Sequence, residues 1–95
     1  MVTLITEDQL QRSIINWADL MSARFSLLGT LYHVPNGGKR NVLEAKKFKK
    51  MGVRAGVPDL CLPVKSRGYG ALYIELKVGN NKPTEKQQSM IDLCN

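Results

Sequence analysis

A chain of 95 residues, 43% hydrophobic and 23% charged, is long enough for one compact domain and too short for two. Fourteen Lys and Arg against eight Asp and Glu leave a net charge of +6, which favours a polyanionic partner, nucleic acid first and an anionic membrane surface after it. One histidine and two cysteines, Cys61 and Cys94, without metal-binding or Cys-x-x-Cys spacing, argue against zinc, dithiol and two-imidazole sites, and both thiols read as reduced core residues.

No apolar run reaches the roughly 20 residues that span a bilayer, and MVTLITEDQL lacks the basic flank and long apolar centre of a signal peptide. A soluble, cytoplasmic protein is expected. Thr6 opens the first predicted helix as its N-cap, with Gln9 as capping-box partner. Leu10, Ile14, Trp17, Ala18 and Met21 follow at helical spacing and predict one apolar stripe, with Trp17 in the core. Glu7 leans toward that stripe. An acid there complements the helix dipole, or serves a site.

LGTLYHV, residues 28–34, reads as a short strand. PNGGKR, 35–40, reads as a tight turn in which Asn36, Gly37 and Gly38 tolerate positive φ or offer N–H groups to a phosphate. A second helix is predicted over NVLEAKKFKKM, 41–51, stopped by Gly52 and carrying lysines in its last turn, where the dipole favours cations. Lys39, Arg40, Lys46, Lys47, Lys49, Lys50 and Arg54 fall within this region, against Glu44 as the sole acid. They form a solvated helix face or a surface for a polyanion.

PDLCLPV, 58–64, and ALYIELKV, 71–78, predict two strands joined by KSRGYG, a connection short enough for an antiparallel hairpin. Leu72, Ile74, Leu76 and Val78 alternate onto one face, and Tyr73, Glu75 and Lys77 share the other. Tyr73 covers the sheet there or stacks on a base. A loop then leads to a third helix, where Thr84 and Gln87 repeat the Thr-x-x-Gln cap; capping alone accounts for Gln87, as does a place near a site. His33 could approach the site from the adjacent strand, but a lone histidine among apolar neighbours is more often structural, and it is given no role.

Asp59 stands at the mouth of the first hairpin strand and Glu75 on the polar face of its partner, so antiparallel pairing brings two carboxylates together. Held close, they repel unless a proton or a cation lies between them. Oxygen donors suit Mg²⁺ or Mn²⁺, with backbone carbonyls and water completing the set. Lys77 would stand beside the metal, positioning water, moving a proton or stabilising charge on a phosphoryl group. Taken singly, Glu75-x-Lys77 is an ordinary exposed strand pattern and Asp59 a turn residue after Pro58. Their combination with Glu7 and the basic helix points to phosphodiester hydrolysis.

GVRAGVPDL, YIELKV and TEKQ, in that order, resemble the VRR-NUC nucleases, the virus-type replication-repair branch of the PD-(D/E)XK superfamily. The likeness runs from Glu7 to about Asp92. It implies an α/β restriction-endonuclease-like core: a mixed sheet with a β-hairpin flanked by helices, in α-β-α-β-β-α order, as a single domain over 1–95. It makes Glu7, Asp59, Glu75, Lys77 and Gln87 the catalytic set. Asp59, Glu75 and the Leu76 backbone carbonyl would hold the metal, with Glu7 acting through water. Asn36, Lys39, Arg40, Lys46, Lys47, Lys50 and Arg54 are the expected DNA contacts, to phosphates rather than to base edges. The implied activity is Mg²⁺- or Mn²⁺-dependent cleavage of DNA, branched structures such as four-way junctions included, by a homodimer in a bacterial cell or phage-infected host. No nucleotide cofactor or membrane is expected. Family members usually continue into another strand and helix, so the resemblance implies either a chain shortened after Asn95 or a missing edge supplied by a partner. The alternatives are a non-catalytic nucleic-acid-binding module, or a nuclease acting on RNA or on single-stranded and flap DNA.

Overall fold

The computed structural model describes residues 5–35 and 41–95. Helix α1, Glu7–Met21, begins with the expected capping box: Gln9 N–H donates to the Thr6 hydroxyl at 3.1 Å and Thr6 N–H to the Gln9 side-chain oxygen at 2.9 Å. Each bond satisfies a backbone donor that a helix start would leave open. Ala18 is the one buried member of the predicted stripe. Leu10, Ile14 and Met21 are half-buried, while Trp17 is 52% exposed rather than core. Helical spacing shows which residues share a face but not how far a neighbour covers it.

The strand expected from residue 28 is also shorter. Ser26–Thr30 form a 3₁₀ helix in which the Thr30 hydroxyl donates to the Leu27 carbonyl at 2.6 Å, and only Tyr32–His33 pair as β1. That local bond offers the backbone an alternative to the sheet. Helix α2, Val42–Lys50, is capped by the Asn41 side chain, which accepts Glu44 N–H at 2.8 Å. Its end is a Schellman motif. Val53 N–H reaches the Phe48 carbonyl at 2.9 Å and Gly52 N–H the Lys49 carbonyl at 3.1 Å, with Gly52 at φ +103°. The helix buries none of its residues.

Strands β2, Leu60–Leu62, and β3, Leu72–Ile74, form the expected antiparallel hairpin, with Leu60 opposite Ile74 and Cys61 opposite Tyr73. Its tip is a two-residue turn closed by Ser66 and Tyr69, whose central Arg67 and Gly68 both have positive φ. Those dihedrals belong to the type I′ turn, whose twist matches that of paired strands. The sheet order is β1-β2-β3. A mixed sheet was expected, yet both pairings are antiparallel among the described residues. The chain returns from α2 to the end of β1 at which it left, where Val34 N–H donates to the Asp59 carbonyl at 2.8 Å, and this fixes the opposed direction.

Helix α3, Glu85–Cys94, opens with the second capping box, Gln87 N–H to the Thr84 hydroxyl at 3.2 Å and Thr84 N–H to the Gln87 side-chain oxygen at 2.8 Å. The core consists of Leu60, Cys61 and Leu76 from the hairpin segment, with Ala18 of α1. Cys61 is the buried thiol that was expected, but Cys94 is exposed. No helix among the described residues is long and apolar enough to cross a membrane.

Candidate active site

The hairpin register, continued one residue past the paired strands, sets Asp59 opposite Glu75. Two carboxylates thus share one side of the sheet, as period-two alternation requires. Asp59 is held in place by the chain around it. Its Oδ2 accepts Leu76 N–H at 2.8 Å, so the side chain ties the start of β2 to the residues following β3. The carboxylate thereby takes the position of a ladder acceptor where regular pairing has ended.

Glu75 is the most constrained group. Its side chain is 8% exposed, and Oε1 accepts a hydrogen bond from Gln87 Nε2 at 2.8 Å and faces Lys77 Nζ at 3.7 Å. Oε2 is buried with no hydrogen-bond partner among the described residues. Burial pushes the Glu75 carboxyl above its ordinary 4.5, and the Asp59 charge adds to the rise. The Lys77 ammonium opposes the shift, whereas the neighbouring Asp59 side chain and the charge of Glu7 raise it further.

Gln87 takes both functions that its position in the sequence left open. Its Oε1 accepts the cap bond from Thr84, and its Nε2 donates to Glu75. The helix cap therefore decides which end of the amide meets the carboxylate. Gly56 accounts for the closeness of α3. It has φ +85°, and a Cβ there would collide with the Lys86 backbone carbonyl, so only glycine lets the loop before Asp59 press against the first turn of α3.

Glu7, Asp59, Leu76 and Gln87 line a cleft of about 650 Å³ together with His33 and Lys86. Of the expected site residues, Glu75 contacts both Gln87 and Lys77, Asp59 stands opposite Glu75 in the hairpin register, and Glu7 lines the cleft with Asp59 and Gln87 from the start of α1. Lys46, Lys47 and Lys50 are exposed on α2, and Arg54 is exposed at the edge of a second groove that Glu75 also lines. Asn36, Lys39 and Arg40 lie outside the described residues. His33 and Lys86 had been given no role at the site. Lys86 could have been found from its position beside Gln87 in the capped turn, whereas the approach of His33 from the adjacent strand was legible but its bond to the Asp59 carbonyl depended on a register visible only in three dimensions.

No three His, Cys, Asp or Glu side chains among the described residues are grouped so as to hold a metal ion by themselves. Two carboxylates could hold an ion only with further oxygen donors such as a backbone carbonyl and water, a donor set of the kind Mg²⁺ accepts because it keeps much of its hydration shell.

The model of the VRR-NUC domain matches residues 5–95. A solved structure described as a VRR_NUC domain protein shares 34% sequence identity, with a TM-score of 0.78, over 98% of this chain and 71% of that one. Among curated proteins none matches. The ordered motifs, the fold and the family match agree: this chain belongs to the VRR-NUC family, a family of nuclease type.

Proposed function

We propose that the protein is a Mg²⁺- or Mn²⁺-dependent endodeoxyribonuclease with a PD-(D/E)XK core, acting on branched DNA such as four-way junctions. The observation that carries this is the buried Glu75 Oε2, which has no donor among the described residues and lies beside a second carboxylate. An orphaned, desolvated anion is costly unless a cation meets it. Asp59, Glu75 and the Leu76 carbonyl would hold the ion, and Glu7 would act through water. Once bound, the metal supplies a Lewis acid for the scissile phosphate and lowers the pKa of a water.

The chain's own residues perform the rest. Gln87 holds Glu75 Oε1, leaving Oε2 for the cation. Lys77 supplies positive charge at the same carboxylate, where it can face negative charge accumulating on the phosphate. Lys46, Lys47, Lys50 and Arg54, with Asn36, Lys39 and Arg40, would grip backbone phosphates. A homodimer would set two such sites symmetrically on a junction, one for each strand cut. The setting would be the cytoplasm of a bacterial cell or of a phage-infected host, and the task DNA repair or replication.

A purely DNA-binding module would explain the exposed lysines but not the donor set around Glu75. The test is Mg²⁺-dependent cleavage of labelled four-way junction, flap and linear duplex DNA, with single-stranded DNA and RNA as competitors. Asp59→Ala and Lys77→Ala should each lower cleavage by about 100-fold or more. Cleavage by both variants at the parent rate would rule out this site.

A further inference from the structure

His33 precedes the loop that leads into α2, and its ring lines the same cleft as Asp59. Its Nδ1 stands 2.9 Å from the Asp59 carbonyl oxygen, the oxygen that also accepts Val34 N–H at 2.8 Å. A carbonyl can only accept, so Nδ1 must carry the proton. Two donors from the β1 segment therefore converge on one backbone oxygen of Asp59, while its side chain is held by Leu76 N–H on the opposite strand. The residue is fixed from both neighbouring strands, and among the described residues His33 is the only side chain with a hydrogen bond to its main chain.

We infer that His33 is a positioning residue for the nuclease reaction: through its Nδ1–H it holds the Asp59 backbone so that the carboxylate meets Glu75. The inference rests on the proposed site at Asp59 and Glu75. Strand pairing here ends at His33 and Leu60, and beyond it the Val34 N–H bond to the Asp59 carbonyl is the last backbone bond of the β1–β2 ladder among the described residues. A ring that bonds one residue outside the pair extends the restraint to the position where a misplacement of about 1 Å can cost as much as about 100-fold in rate.

Asparagine places a side-chain N–H close to where Nδ1 stands, and alanine removes the donor. His33→Ala should lower kcat on junction DNA roughly 10- to 100-fold with KM changed less than about threefold. His33→Asn should recover most of the loss. A second readout needs neither metal nor turnover: ring ¹⁵N shifts of His33 in the metal-free protein should show the proton on Nδ1, whereas free histidine prefers Nε2. An Nε2–H ring, or a His33→Ala enzyme with parental kcat, would overturn the inference. Asp59→Ala, assayed alongside, separates the two failures. If it is inactive while His33→Ala is not, only the role of His33 falls; if it is active too, the site itself does.

Discussion

Gln87 joins helix stability and site chemistry in one amide. Its oxygen serves the cap of α3 and its nitrogen serves Glu75. Glutamate is as good a capping-box residue as glutamine, so Gln87→Glu should leave thermal stability within about 1 kcal/mol of the parent. The same change replaces the donor facing Glu75 with a third carboxylate. Cleavage should fall by about tenfold or more while the melting temperature holds. A variant that loses both in proportion would mean the bond to Glu75 matters only for folding. Both halves of the Thr-x-x-Gln pattern were legible in the sequence, but the second bond was not, because it spans two elements whose approach depends on Gly56.

At the scale of elements, the site is assembled where the hairpin base, the first turn of α3 and the first turn of α1 meet. Gly56 sets that spacing. Gly56→Ala combines a strained positive φ with a backbone clash against Lys86, and should cost about 2 kcal/mol or more. In a domain of this size the melting temperature would drop by roughly 8 °C or more. A calorimetric scan within a degree or two of the parent would show that the loop relaxes freely. The two Thr-x-x-Gln caps, the Gly52 stop and the hairpin that faces Asp59 with Glu75 were readable, because each depends on residues a few positions apart or on strict alternation. The 3₁₀ segment at Ser26–Thr30 and the exposure of Trp17 were not. Both depend on competition between local bonds and long-range packing, which spacing alone does not encode.

For the molecule as a whole, burying Glu75 beside Asp59 links folding to pH. The Glu75 pKa is raised in the folded chain, so between 4.5 and that raised value the native state binds more protons than the unfolded one. Its contribution to stability is fully present below about 4.5 and is lost as pH rises through the folded pKa. With chelator present, the melting temperature of the parent minus that of Glu75→Gln should therefore fall from pH 4.5 toward neutrality. A difference that grows over this range would contradict the raised pKa. Added Mn²⁺ should reverse the loss in the parent and leave Glu75→Gln unmoved, since a ligand of the native state alone stabilises by mass action.

The amide of Leu76 depends on a titratable side chain, Asp59, for its shelter from solvent, and not on a strand partner. Deuterium uptake at this single backbone position thus becomes a gauge of whether the Asp59 side chain is in the rotamer that the proposed site requires. The gauge can be read before any DNA or cation is added.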